Sequence, residues 1–286
     1  MATIREIRTR IRTVRNIEKI TRAMKLVAAA RLRRAQSRAE AARPYAEQMQ
    51  AMMRSLAAAS GGVEHPLLDV REEQNVAVVV ITADRGLCGS YNTNILRRAM
   101  ELLRPRDPAT VRLILLGRKG IAFFRRRPYT VISSRPTGNE ASFAEVRPVA
   151  ATLRELFETR QVDAVYIVYW EFIRAGTQRP TVMQLLPLRT LAVEGSDEEP
   201  AADVIFEPGA EVLLGHLLPR YVDTQLYRAL VEAITSEHAQ RMISMTAATE
   251  NAGEMIDTLT LSMNRARQAA ITKEIAEIVS GAEALK

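Results

Sequence analysis

The residues best suited to chemistry stand in one short segment, Asp84-Arg85-Gly86-Leu87-Cys88-Gly89, directly after the apolar run Val76 to Thr82. Two glycines in a turn that leads into a helix can bring backbone amides up to a phosphate. The spacing is neither G-x-G-x-x-G nor G-x-x-x-x-G-K-[ST], and the ordinary use of glycine in left-handed turns accounts for both positions. His65, His216 and His238 are too scattered to suggest a metal site. Cys88 is the only cysteine, so no internal disulfide can form and no Cys-His pair offers a nucleophile. The carboxylates of Glu194 to Pro200 (EGSDEEP) read as a solvated loop rather than an acid/base pair. There is no G-x-S-x-G elbow and no H-E-x-x-H helix. The residues therefore propose no active site, no metal and no cofactor.

What remains is charge, and it is unevenly placed. The net charge is +7, yet residues 1–40 alone hold twelve Arg or Lys against three Glu, a local +9. The other 246 residues, with 28 basic and 30 acidic side chains, carry −2. A basic arm of this kind suits nucleic acid, an anionic membrane or an acidic protein surface, and charge alone does not choose among them.

Hydrophobic periodicity describes the arm better. Ile4, Ile7, Ile11 and Val14 alternate spacings of three and four. Ile17, Ile20, Met24 and Val27 then resume the alternation after a three-residue offset, which predicts a coiled-coil seam with one stammer. The helical pattern runs to about Ala59, with a kink expected at Pro44 and a stop at Gly61-Gly62, a rod on the order of 85 Å long. The other end of the chain mirrors it. After Pro219 no proline occurs, and Leu226, Leu230, Ile234, Met242, Met245, Met255, Leu259, Met263, Ile271, Ile275 and Ile278 mark an apolar stripe. A helix of that length, on the order of 100 Å, needs a partner along it, and the N-terminal rod is the obvious one. Two separate long helices in a bundle are the alternative.

Between the rods the pattern becomes strand, turn and helix. Strands are expected at Val76 to Thr82, Val111 to Leu116, Tyr129 to Ser133 and Ala164 to Trp170. Helices are expected from Thr93 to Leu103, through Phe123 and Phe124, and from Ser142 to about Arg160, with an added edge strand from Thr181 to Leu188. This alternation implies a mostly parallel sheet covered by helices. The expected divisions are an N-terminal helix over 1–60, a central α/β domain over 61–208 and a C-terminal helix over 209–286.

Four blocks make the chain resemble a known family. They are Ile17 to Arg31 (IEKITRAMKLVAAAR), Thr82 to Asn92 (TADRGLCGSYN), Tyr166 to Val168 with Gln184 to Leu188 (YIV, QLLPL), and Asn264 to Gly281 (NRARQAAITKEIAEIVSG). In order and from end to end, they look like the signature blocks of the ATP synthase gamma subunit. The resemblance implies a long antiparallel coiled coil of terminal helices with an inserted Rossmann-like domain. It implies a non-catalytic rotor shaft inside an alpha-beta hexamer, coupling proton flow through the membrane c-ring to the catalytic sites of the beta subunits. It also implies an epsilon subunit beside the foot.

The same resemblance assigns residues. Arg267 and Gln268 match the contact with a catch loop of the beta subunit, where guanidinium and amide make directional hydrogen bonds. Met24 matches a position beside the acidic beta lever, and Arg8, Arg31 and Arg34 are expected to be attracted to it. Exposed pairs of that kind contribute only about 0 to 1 kcal/mol each, which suits contacts released on every turn. Ile271, Ile275, Ile278 and Val279 form the apolar bearing tip, and Ile205, Phe206 and Glu207 the foot toward the c-ring and epsilon. The chain departs from the plant-chloroplast version in lacking its inserted cysteine pair, and Ser90-Tyr91 stands where many relatives carry small or aliphatic residues. No apolar run approaches the roughly 20 residues needed to span a bilayer, so a peripheral place on the cytoplasmic membrane face is expected. A basic coiled-coil nucleic-acid binder is the alternative, and a nucleotide-using enzyme resting on the Gly turn is third.

Overall fold

The computed structural model describes residues 3–59, 65–188 and 209–284. The chain resolves into two compact units, one made of residues 1–29 and 241–286, the other of residues 30–240. Two helices run through both: α1 (Ile4–Ala59) and, at the other end of the chain, α5 (Ala210–Ala284). In the first unit Thr21 meets Thr249. In the second, Arg34 and Ala35 line one pocket with Val231 and Ile234. Each unit thus holds a stretch of both helices side by side. α1 is helical straight through Pro44, and α5 begins before Pro219 rather than after it. At that proline Arg154 Nη1 donates to the Pro219 carbonyl at 2.8 Å and pairs with Asp223 one turn on.

The second unit holds a five-stranded sheet of β1 (Val76–Ile81), β2 (Val111–Leu116), β3 (Thr130–Arg135), β4 (Ala164–Arg174) and β5 (Thr177–Leu186), in the order β3-β2-β1-β4-β5. The first four pair in parallel, and β5 returns antiparallel on β4. β5 begins earlier than its sequence suggests. Pro180 lies within it opposite Trp170, tolerable because the strand is an edge and an N–H is not needed there. Between the strands lie α2 (Tyr91–Leu103), α3 (Arg118–Phe124) and α4 (Phe143–Glu158).

Every residue of β1 is buried, because both faces are covered. Ala77, Val79 and Ile81 pack with α4, with Met49 and Met53 of α1 and with Leu218 to Ile234 of α5. Val76, Val78 and Val80 face α2 and Phe124 of α3. Tyr91 occupies the second layer fully buried, stacked on Trp170 with ring centroids 5.4 Å apart. Its hydroxyl donates to the Ala233 carbonyl of α5 at 3.0 Å, while Trp170 Nε1 donates to the Tyr91 carbonyl at 3.0 Å. Tyr91 is thus a bolt between sheet and long helix.

The segment that first invited a nucleotide reading is a structural staple. The Asp84 carboxylate accepts from the backbone N–H groups of Arg118 (2.9 Å), Thr137 (3.2 Å) and Gly138 (2.9 Å). A carboxylate on the first N–H of α3 satisfies a donor that the helix itself cannot, and its charge suits that end of the helix. Beside it, Thr82 Oγ1 accepts from Gly120 N at 2.8 Å, and the Thr82 carbonyl accepts from Thr137 Oγ1 at 2.7 Å. Gly117 has φ +104, and a Cβ there would lie 2.1 Å from the Thr82 carbonyl oxygen. The turn residues Leu87 and Gly89 also have positive φ, 61 and 57, the conformation for which glycine is the default residue.

Candidate partner-binding surface

In the first unit the seam of α1 differs from the one its isoleucines suggest. Ile7, Ile11, Thr21 and Ala28 are buried and Val14, Glu18 and Lys25 half-buried. The inward positions 7, 11, 14, 18, 21, 25 and 28 keep an unbroken alternation of four and three, so there is no stammer. Ile17 and Ile20 lie outside, 47% and 59% exposed, with Leu26 and Val27 also exposed. The seam prefers small and polar residues at its middle because the facing helix offers the same. The Thr249 hydroxyl donates to the Thr21 hydroxyl at 2.9 Å, and Thr21 donates onward to the Glu18 carbonyl at 3.0 Å. On α5 the inward residues are Arg241, Met245, Ala252, Ile256, Leu259 and Met263.

Ile17, Ile20, Met24 and Val27 each precede a seam residue by one position, which puts them about 100° round the helix. They form a second apolar stripe, unpartnered by α5, on a helix whose remaining surface is strongly basic. An exposed contiguous apolar stripe marks an interaction surface, and covering one such side chain fully contributes about 1.5 to 3 kcal/mol. Met24, half-buried, lies on this stripe, and Arg8 is exposed.

α5 presents the other part of the surface. Arg267 and Gln268 are exposed, Ala270 is half-buried, and every residue from 271 to 280 is exposed. Ile278, at 71%, is the most open of the large apolar side chains. α1 has ended by then, so the last 14 described residues of α5 continue for about 20 Å as a single helix. Ile271, Ile275, Ile278 and Val279 thus share a segment whose apolar side chains meet water on every side. Ile205, Phe206 and Glu207 lie outside the described residues.

Arg31 and Arg34 belong to the second unit and to a different setting. With Arg38 they line a pocket of about 400 Å³ closed on its other sides by Gly138, Asn139, Glu140, Glu145, Val231 and Ile234. Arg31 Nη1 donates to Asn139 Oδ1 at 2.6 Å, and Arg38 pairs with Glu140 at 2.6 Å. Glu140 is held below the ordinary carboxylate pKa first by the hydrogen bond from Arg38, then by its charge, with Arg34 and Arg31 adding to it. With its proton on Nε2, buried His238 of α5 donates to the Asn139 carbonyl at 3.2 Å. Sequence reasoning missed Arg38, Asn139, Glu140 and His238. Thr137-Gly138-Asn139 is a turn signal and no more, and the arginines it meets lie 108 and 102 residues away.

Among the described residues no group of His, Cys, Asp and Glu is arranged to hold a metal ion, and no helix is long and apolar enough to cross a membrane. The family model described as ATP synthase matches residues 3–285. The chain is 47% identical to the ATP synthase gamma chain of Desulforamulus reducens and 45% identical to that of Pelotomaculum thermopropionicum, covering 100% of both partners in each comparison. It is similar in structure to a chain of the central stalk and c-ring of the Tetrahymena thermophila mitochondrial ATP synthase. That match has a TM-score of 0.61 and 27% identity, over 80% of this chain and 99% of the other.

Proposed function

Since this chain belongs to the ATP synthase family, and within it to the gamma chains, we propose that it is the central rotor shaft of such a complex. On this reading it couples proton flow through the c-ring to ATP synthesis and hydrolysis on other subunits, and has no catalytic site of its own. The observation that carries the reading is the placement of apolar residues. A helix pair that satisfies its own seam with Thr21, Ala28 and Thr249, and leaves Ile17, Ile20, Val27 and the whole of 271–280 outside, is built to be surrounded. The basic-arm reading toward nucleic acid finds no support in any relative.

The partners are the alpha and beta subunits around the helices, with epsilon and the c-ring at the foot, beside the sheet-bearing body of the second unit, which we call the head. Arg267 and Gln268 reach a catch loop of beta, while Met24, Arg8 and Arg34 face its acidic lever. Contacts of exposed arginine with carboxylate are weak, about 0 to 1 kcal/mol, and so can be exchanged three times per turn without trapping the shaft. The apolar tip meets its sleeve through methyl groups, which have no hydrogen bonds to break. The complex sits on the cytoplasmic face of the membrane, with this chain held there by its partners.

Reconstitution with alpha and beta subunits tests the reading. One copy of this chain per three alpha-beta pairs, with sustained ATP hydrolysis that falls when residues 264–286 are deleted, is the expected result. Failure to associate under conditions where alpha and beta assemble would overturn it.

A further inference from the structure

We infer that the loop between β3 and α4, residues 137–140, is a torsional clamp that fixes the head to both long helices, with Arg31 and Arg38 as its positioning residues. Four consecutive loop residues between them reach three elements, the end of β1, α1 and α5. Thr137 and Gly138 are pinned through their N–H groups to Asp84, at the end of the central strand, and Thr137 also through its hydroxyl to Thr82. Asn139 takes Arg31 of α1 on its side chain and His238 of α5 on its carbonyl. Glu140 takes Arg38, two turns along α1 from Arg31. A continuous run of hydrogen bonds therefore leads from the middle of the sheet to both helices. It is anchored on β1, which is buried on both faces and among the least deformable parts of the unit.

The geometry resists twist in particular. Arg31 and Arg38 are seven residues apart on one face of α1, about 10 Å along its axis, and they grip adjacent residues of one short loop. Rotation of α1 against the sheet would stretch both bonds together. The His238 contact arrives from the other helix, so neither helix can turn against the head without straining the same loop. Apolar contacts under the clamp, such as Val231 and Ile234, are non-directional and let one surface slide over another. Charge-assisted hydrogen bonds do not. Thr82 and Asp84 thereby gain a mechanical purpose, and Arg31, which the family resemblance alone would send to a partner subunit, acts inside the chain.

The inference rests on the shaft reading, and the test separates the two. In the assembled complex, fixed to a surface through the hexamer, a bead attached to the head at R126C reports the angular spread of the rotor when it pauses. The double variant R31A/R38A is expected to widen that variance about two-fold, since it removes both directional bonds by which the loop holds α1 against twist, while ATP hydrolysis is largely kept. R38E should widen it also, and the charge swap R38E/E140R should restore it, which a mere loss of packing would not do. If R31A/R38A fails to assemble, N139A, which removes only the acceptor of Arg31, is expected to give a smaller widening in the same direction, and unchanged variance there would overturn the clamp. Joining R38C to E140C with a short cross-linker should leave rotation intact, because the two are held together throughout the turn. Unchanged variance in R31A/R38A, or rotation stopped by the cross-link, would overturn the clamp. A wild-type complex that never turns would instead overturn the shaft reading.

Discussion

The two units use apolar residues in opposite senses. In the second unit they mark the inside: Val76 to Ile81 is apolar throughout and buried throughout, and its neighbours close over both faces. In the first unit the largest apolar side chains of α1 between Ile17 and Val27 mark the outside, while Thr21 and Ala28 occupy the seam. The first arrangement belongs to a body that folds for itself. The second leaves large apolar side chains in water on a helix whose seam is already filled, and on the proposed function their burial is deferred until assembly.

The sharpest way to separate these roles is to strike each unit where it is specific. Gly117→Ala puts a methyl group 2.1 Å from the Thr82 carbonyl oxygen at a backbone angle that favours glycine. It is expected to destabilise the head by about 3 kcal/mol or more, at or beyond the upper end of ordinary single-site losses, seen as a large drop in thermal midpoint of the isolated chain. A midpoint within a degree or two of wild type would show that the Thr82 staple gives way easily. Next in size, I17S/I20S should weaken association with the alpha-beta hexamer by about 2 to 4 kcal/mol while leaving the isolated chain's stability nearly unchanged. Titration calorimetry and melting together check it, and a large loss in melting with intact association would return these isoleucines to the interior. The smallest effect is expected at Gly253. A Cβ there meets nothing within 4 Å, so Gly253→Ala should stabilise α5 by up to about 1 kcal/mol through helix propensity. A destabilising outcome would reveal a close neighbour supplied by the helix pair.

Most of the second unit could be read in the sequence because its signals are local. Runs such as VAVVVI and VRLILL alternate with helical stretches, and each strand from β1 to β4 falls within a few residues of its expected place. Pro180 misled at β5, since a proline that reads as a boundary is accommodated inside an edge strand. The first unit was legible as a coiled coil but not in its facing. Periodicity finds a stripe, not the direction in which it points, and two stripes offset by one residue look like one stripe with a stammer. Arg31 was legible as a cation. Its acceptor was not, because no local pattern links it to Asn139 across 108 positions.

The solitary last stretch of α5 has a consequence for how such a complex can be put together. Fourteen residues of isolated helix are marginal in water, but a stretch that continues an existing helix needs no nucleation and gains or loses structure one residue at a time. Such an end can enter a narrow opening as a loose strand and wind itself up in place, each added turn seating another pair of methyl-bearing side chains. Threading a stiff rod through a closed ring is a problem of access, and a rod whose end can wind and unwind at little cost turns it into a problem of growth.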